Sequence, residues 1–163
     1  MKHPLFVFIL LIFFVSCDQQ NLKQEPINIE AEKEQVALVL EKYVIAIEKE
    51  DLELVREVWA PLPDIVVFGT NSDEKMIGWE AIKVALERQY SSVEDTYISV
   101  RDQVIQIDPS GKVAWFSEIM NYNYIYQGDA INFEGLRFTG VLQKIDDAWY
   151  IVQSHISSPG QPN

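Results

Sequence analysis

The sequence has one cysteine, two histidines and few basic residues, and each scarcity excludes a kind of chemistry. With Cys17 as the only thiol, the chain cannot form an internal disulfide or a thiolate zinc cluster. It carries 13 Lys and Arg against 25 Asp and Glu, a net charge of -12. Nucleic-acid binding needs clustered cations, and an anionic membrane surface would repel this chain. The acidity instead indicates a solvated, soluble surface.

Phosphate-binding glycine loops and the G-x-S-x-G elbow of serine hydrolases are also missing. If the export signal described below is removed and Cys17 is lipidated, one histidine and no free cysteine remain, which excludes the usual zinc sites. Asp64, Asp73 and Glu74 could bind a hard cation, but ordinary surface acids of a polar loop explain them equally well. We therefore expect neither a cofactor nor a metal centre.

The N-terminus has the pattern of an export signal. Lys2 and His3 precede an apolar run from Leu5 to Val15, which is shorter than the roughly 20 residues that span a bilayer. The segment Phe14-Val15-Ser16-Cys17 resembles the lipobox of a bacterial lipoprotein, with Phe in the place usual for Leu. The resemblance implies a signal peptide over residues 1–16 and a lipid on Cys17. An uncleaved anchor and an ordinary signal peptide are the alternatives.

The mature chain would be an exported lipoprotein of the bacterial cell envelope, anchored to the membrane through its lipid alone. Its net charge would be -13, because the signal removes one Lys and no acid. Residues 17–29 are polar, contain Pro26 and predict a flexible tether after the lipidated cysteine. Residues 30–158 suffice for one domain with one core, and residues 159–163 form a tail.

Three helices are predicted before any long strand. A long amphipathic helix over residues 30–50 is indicated by apolar side chains at helical spacing, namely Val36, Leu40, Tyr43, Val44 and Ile47. Asp51 can cap a short second helix, which ends before Pro61, and residues 64–69 form a short buried strand. Gly78 precedes a third helix with an apolar stripe formed by Trp79, Ile82, Leu86 and Tyr90.

After Glu94 the sequence alternates as long strands do, so the class is α+β. The apolar phase changes within residues 96–108, which predicts a bulge near Asp102 and Gln103. Residues 108–111, Asp-Pro-Ser-Gly, have the composition of a type I turn. A strand over residues 112–126 and a terminal hairpin over residues 137–157 follow, and such long bent strands suggest a sheet that wraps around a helix as a cone.

The order of these elements, with Val-Ala-Trp115, Arg137-x-Thr139 and Trp149-x-Ile-Val-x-x-His155-x-Ser157, resembles a SnoaL-like domain of the nuclear transport factor 2-like superfamily. The branch it is most similar to includes the association domain of calmodulin-dependent kinase. The resemblance implies a cone-shaped, curved antiparallel sheet around three N-terminal helices, with a pocket at its hollow end. Candidate ligand-binding residues for that pocket are Trp59, Phe68, Trp79, Tyr90, Trp115, Glu118, Arg137 and His155.

Glu118 is the best candidate for a catalytic base. It is a lone acid on a strand face with Ala114, Phe116, Met120, Tyr122 and Tyr124, and a carboxylate removed from water gains basicity. The alternative is that this tyrosine-rich face is a subunit surface, because aromatic residues are enriched in interfaces. A homodimer is therefore expected.

Arg137 and His155 are the other catalytic candidates. In the last strand, Trp149, Ile151, Gln153, His155 and Ser157 alternate and so should share one face. If that face lines the pocket, Arg137 and His155 could hold an anion. The opposite face of the hairpin is also apolar, however, and if it faces the core these two side chains point outward.

Two functions follow from these residues. The preferred one is a non-catalytic envelope lipoprotein that binds a small, partly apolar ligand or acts as a dimeric interaction module, because no second catalytic group stands opposite Glu118. The alternative is a cofactor-independent isomerase, cyclase or dehydratase, similar to ketosteroid isomerases or polyketide cyclases. Its base would be Glu118 or His155, and its oxyanion donor Arg137 or a tyrosine. The fold alone cannot decide between them.

Overall fold

The computed structural model describes residues 27–71 and 73–160. The predicted signal peptide, the predicted lipidation of Cys17 and most of the predicted tether lie outside these residues, as does the end of the predicted tail. Within the described ranges, no helix is both long enough and apolar enough to cross a bilayer.

Within the described residues, three helices precede the four long strands, as predicted. Helix α1 covers Ile29–Glu48, α2 covers Leu52–Val58 and α3 covers Trp79–Tyr90. The Asp51 side chain caps α2 by accepting a hydrogen bond from the Leu54 amide at 3.0 Å. Helix α3 begins after Gly78, which has a φ of 79° that a residue with a Cβ rarely adopts.

Six strands form one sheet. They are β1 (Val66–Phe68), β2 (Lys75–Ile77), β3 (Glu94–Ile107), β4 (Val113–Tyr126), β5 (Asp129–Ile145) and β6 (Ala148–Ser157). Their order is β2-β1-β6-β5-β4-β3, and every neighbouring pair is antiparallel except β1 and β6, which run parallel. The α+β class and the helix-then-sheet order are confirmed. Strand β2 lies where the sequence predicted only a polar loop.

The predicted bulge and turn in the first long hairpin are both present. The register of β3 against β4 shifts between Arg101 and Val104, and Asp102 has a positive φ of 55°. In the turn, the Gly111 amide donates to the Asp108 carbonyl at 2.9 Å. An extra residue in one strand increases bending and twist, so the bulge contributes to the curvature of the sheet.

The core lies between the helices and one face of the curved sheet. The Phe138 ring stacks on Tyr43 of α1 at 5.6 Å between centroids and meets Phe116 edge-on at 4.9 Å. Ala114, Phe116, Glu118 and Met120 are all buried on this face. The part of this β4 face from Ala114 to Met120 is therefore buried within the domain, whereas Tyr122 and Tyr124 farther along it are half-buried.

The first turn of α1 is held against the terminal hairpin by one carboxylate, an arrangement we call the Glu32 clamp. Lys144 donates to Glu32 Oε1 at 2.7 Å, and the Trp149 indole donates to Glu32 Oε2 at 2.7 Å. The hydrogen bond from Lys144 is the main cause of a lowered pKa for Glu32. The clamp therefore fixes the N-terminal end of the helix over the sheet.

Candidate functional site

A groove of about 590 Å³ lies between α1 and the edge strand β3. Its apolar wall consists of Ala37, Leu38, Leu40, Val44, Ile98 and Val100, and its polar residues are Glu34, Glu41, Gln103 and Glu118. Ligand pockets commonly enclose about 300–1,000 Å³ and combine apolar walls with a few polar groups. The groove has the size and lining expected of a site for a small molecule.

Glu118 is the buried acid of this groove. Only 3% of it is exposed, and Gln103 donates to its Oε2 atom at 2.7 Å. The Oε1 atom is also buried, and it has no hydrogen-bond partner among the described residues. Burial raises the pKa of Glu118, and the hydrogen bond from Gln103 opposes that rise. The buried acid of the groove thus has one carboxylate oxygen whose hydrogen-bonding capacity is unused among the described residues.

The bulge in β3 positions Gln103, the side chain that donates to Glu118. Arg101 pairs with Ile119 and Val104 pairs with Ser117, so Asp102 and Gln103 together stand opposite Glu118. In a regular strand only one residue would stand there. The phase change that predicts the bulge from sequence is therefore also what places the Gln103 amide beside the carboxylate.

A second polar cluster, formed by Tyr43, Tyr90 and Tyr122, lies between α1, α3 and β4. Gln89 donates to the Tyr122 hydroxyl at 2.6 Å, whereas the buried hydroxyl of Tyr90 has no partner among the described residues. Burial raises the pKa of Tyr122 to about 12 and that of Tyr43 still further. These phenols remain protonated at neutral pH, and none of them lines the groove.

The sequence-predicted site residues are divided between the two sides of the sheet. Phe68, Trp115, Arg137 and His155 lie exposed on the outer face, away from the helices. The His155 ring meets Phe68 edge-on at 5.9 Å, and Arg137 donates to the Ser158 carbonyl at 2.9 Å. Arg137 and His155 therefore do not converge with the side chain of Glu118.

A bulge in β6 explains why His155 does not share a face with Trp149. Ile151 pairs with Leu142 and Gln153 pairs with the adjacent Val141, so Val152 is an extra residue. Trp149 and Ile151 are buried before this point, but Ser154 is buried after it and His155 is exposed. The single face expected from alternation is interrupted because an extra residue reverses the side-chain direction.

The remaining predicted residues lie around the short helices. Trp59 is buried directly after α2, Trp79 packs beneath the Arg56 guanidinium at 5.2 Å, and Tyr90 belongs to the tyrosine cluster. Of the eight predicted ligand-binding residues, Glu118 alone lines the groove. The helical wall of the groove was not predicted from the sequence. The residue that could have indicated it is Leu38, an apolar residue of α1 that lies outside the core stripe and is 55% exposed.

No set of three or more His, Cys, Asp or Glu side chains within residues 27–71 and 73–160 is arranged to hold a metal ion. In the polar loop before β2, Asn71 donates to both carboxylate oxygens of Glu74, through its amide and its side chain.

Solved structures with the same architecture come from several bacteria. A nuclear transport factor 2-like superfamily protein from Salmonella enterica serovar Typhimurium is 17% identical, with a TM-score of 0.74 over 82% of this chain and 95% of that one. A protein assigned as a dehydratase of the same family from Streptomyces avermitilis is 16% identical, with a TM-score of 0.72 over 81% and 99%. A protein assigned as a calcium/calmodulin-dependent kinase II association domain from Xanthomonas campestris is 20% identical, with a TM-score of 0.67 over 78% and 87%.

At these identities the likeness shows the fold and not an activity. No functionally curated protein shows significant sequence similarity to the chain. The SnoaL-like domain family matches residues 36–161, which is more than half of the chain and includes every strand of the sheet. The resemblance seen in the sequence is thereby confirmed: the chain belongs to the SnoaL-like domain family and has the nuclear transport factor 2-like fold.

Proposed function

We propose that this domain binds a small, partly apolar ligand in the groove between α1 and β3, without catalysing a reaction on it. The observation that carries the proposal is Glu118, which lines an apolar groove of about 590 Å³ and whose buried Oε1 atom has no partner within residues 27–71 and 73–160. A buried polar atom without a partner is costly, and a ligand donor would remove that cost.

The lining residues favour binding over catalysis. General acid–base chemistry on a neutral substrate needs a base together with a donor that stabilises the developing charge. Besides Glu118, the polar lining consists of Glu34, Glu41 and Gln103; the two glutamates are acceptors when ionised, and the Gln103 amide already donates to Glu118. Arg137 and His155, the donors that the sequence offered, lie on the other side of the sheet.

The binding proposal can be tested with N-phenyl-1-naphthylamine, a neutral apolar dye that fluoresces when it leaves water. Leu38→Glu places a charge on the groove wall at a position 55% exposed, and it should abolish most of the fluorescence gain. Val84→Glu is the matched control, because Val84 is 62% exposed on α3 and does not line the groove. Absence of dye binding to the wild type, or equal binding by both variants, would contradict the proposal.

A second candidate is a cofactor-independent dehydratase or isomerase that uses Glu118 as its base. Its support is the raised pKa of the buried carboxyl, a property of many catalytic acids and bases. Turnover of a steroid or polyketide-like substrate, with a pH–rate profile that is lost in Glu118→Gln, would establish this activity. A wild-type protein that binds such a compound but never converts it would exclude it for that compound.

We also propose that the chain is a lipoprotein of the cell envelope. The support is the sequence of residues 1–17 alone. Expressed in a bacterial host, the wild type should partition with membranes and carry a lipid mass on Cys17, whereas Cys17→Ser should lose both. A wild type recovered without lipid would overturn the proposal.

The outer face of the sheet is the surface we propose for homodimer formation. Phe68, Val104 and Trp115 are large apolar residues that are between 40% and 51% exposed there. Exposed apolar patches of this kind commonly mark protein interfaces. Native mass spectrometry should show a dimer that Trp115→Glu dissociates, and a monomeric wild type at micromolar concentration would contradict this role.

A further inference from the structure

The charges that line the groove are all of one sign. Glu34 and Glu41 are exposed lining residues on α1, and Glu118 is the buried one. Neither Glu34 nor Glu41 forms a salt bridge within the described residues. No Lys or Arg contributes to the lining. Among the described residues that line the groove, an occupant therefore meets carboxylates and no cationic side chain.

The basic residues on the neighbouring elements are engaged with other acids. On α1, Lys33 pairs with Glu30 at 2.9 Å and Lys42 pairs with Glu57 of α2 at 2.5 Å. On β3, Arg101 pairs with the adjacent Asp102. Lys33, Lys42 and Arg101 thus each have a carboxylate outside the groove lining, and Glu34 and Glu41 are left to attract a positive group from solution.

From this arrangement we propose that the natural ligand is a small apolar amine, bound as its ammonium ion with an N–H group donating to Glu118 Oε1. The inference rests on the proposed binding function and adds the chemical class of the ligand. Glu118 satisfies what such a site requires, because its free oxygen is buried and it lines the groove. Removing a carboxylate from water is expensive, and a buried cation with a direct hydrogen bond offsets much of that cost.

The apolar wall defines the rest of the ligand. Ala37, Leu38, Leu40 and Val44 supply the helical side, while Ile98 and Val100 supply the strand side. These side chains offer no hydrogen bonds, so they select a hydrocarbon chain or ring. An anion of the same shape would be repelled by three acids, and a neutral alcohol would donate to Glu118 without a charge to balance it.

Three probes test the effect of charge, because they share a phenylethyl group and differ in the group at its end: 2-phenylethylamine, 2-phenylethanol and 3-phenylpropionate. With wild-type protein at neutral pH, calorimetry should show the amine binding about tenfold more tightly than the alcohol, or better. The carboxylate should show no measurable binding. In Glu118→Gln the preference for the amine over the alcohol should fall to about twofold, while the affinity of the alcohol changes little.

Glu80→Gln is the control for the change in net charge, because Glu80 is exposed on α3 and does not line the groove. It should keep the preference for the amine. If Glu118→Gln does not fold, the double variant Glu34→Gln and Glu41→Gln tests the same point at exposed positions, where the preference and its salt dependence should both weaken. A preference that is unchanged in the variants that fold would overturn the proposal.

The outcomes also separate this inference from the function on which it rests. If the alcohol binds the wild type as tightly as the amine does, and the neutral dye binds in the groove, the groove is a ligand site but the ligand is not a cation. If neither the dye nor any of the three probes binds, the binding function itself fails. Tight binding of 3-phenylpropionate would overturn the inference directly.

Discussion

Glu32 in α1 and Glu118 in β4 show that a carboxylate can stabilise the fold in one place and provide a candidate binding site in another. Both Glu32 and Glu118 accept a hydrogen bond from a side-chain nitrogen at 2.7 Å. In the Glu32 clamp the second oxygen is also used, by the Trp149 indole. In the groove the second oxygen of Glu118 has no partner within the described residues.

Because their hydrogen-bond donors and their burial differ, the pKa values of the two carboxyl groups shift in opposite directions. The charged Lys144 donor favours the ionised form of Glu32 and lowers its pKa. Glu118 has a neutral donor and a more apolar setting, so burial favours its protonated form and raises its pKa. Glu32 has a partner for each oxygen, one of them a cation, and its role is structural. Glu118 has one oxygen without a partner among the described residues and no cation bound to it, so it is the carboxylate that we propose binds a ligand.

The largest change in the free energy of unfolding is expected from breaking the Glu32 clamp. Glu32→Gln removes the charge that Lys144 pairs with and should lower the free energy of unfolding by about 2 kcal/mol at pH 7. Because the pKa of Glu32 is lower in the folded state, the stability it adds is present above about pH 4.5 and is lost as the pH falls through the folded pKa. Urea unfolding followed by circular dichroism measures both effects.

Glu30→Gln is the control for the clamp, because the Glu30 side chain is 79% exposed and pairs with Lys33 of the same helix. It should change the free energy of unfolding by less than about 0.5 kcal/mol. Equal losses in the two variants would mean that Glu32 has no special structural role.

A change of opposite sign in the free energy of unfolding is expected when the groove carboxylate is replaced. Glu118→Gln removes a buried charge but keeps an acceptor for Gln103, so it should raise the free energy of unfolding by about 1 kcal/mol at pH 7. The pKa of Glu118 is higher in the folded state, so the wild type loses stability as the pH rises from about 4.5 through the folded pKa. The gain should thus disappear in acid, where Glu118 is neutral in both states. A loss of stability in Glu118→Gln at pH 7 would show that the ionised Glu118 carboxylate stabilises the folded state, as Glu32 does.

A smaller change should follow from removing the Gln103 side chain that donates to Glu118. Gln103→Ala deletes the donor that opposes the effect of burial, so the pKa of Glu118 should rise further. Carbon-13 NMR titration of the glutamate carboxyl groups measures this shift directly. Gln106→Ala is the matched control on the same strand, and it should leave the titration of Glu118 where it is in the wild type.

The smallest effect is expected on the outer face of the sheet. His155→Ala should change the free energy of unfolding by less than about 0.5 kcal/mol and leave dye binding in the groove intact, because His155 is exposed and lies on the opposite side from Glu118. A loss of dye binding in this variant would place the ligand site on the outer face instead.

The sequence predicted those features of the fold that leave a trace in the pattern of apolar residues. The bulge in β3 was predictable because Ile98 and Ile105 fall on opposite phases of the alternation. The bulge in β6 was not, because Ile151 and Val152 are both apolar and neither phase stands out. Alternation can be read from a sequence only when the two faces of a strand differ in polarity, so a bulge leaves no trace where both faces are apolar.

The candidate site was predictable only in part for a different reason. The burial of Glu118 followed from its apolar neighbours on one strand. The groove depends on how far α1 stands from the edge strand β3, and on the bulge that sets Gln103 beside the carboxylate. Distances between elements far apart in sequence are properties of the packed fold, so the spacing of residues along the chain does not report them.

The Glu32 clamp also has a consequence for the order in which the chain can assemble. Its hydrogen bonds join residues 112 and 117 positions apart, so the first helix is fixed in place by the last hairpin. Closing such a long loop is entropically costly and is typical of late steps in folding. A chain emerging from the ribosome can form helices and the β3–β4 hairpin early, but α1 stays untethered at its N-terminal end until Trp149 has been synthesised.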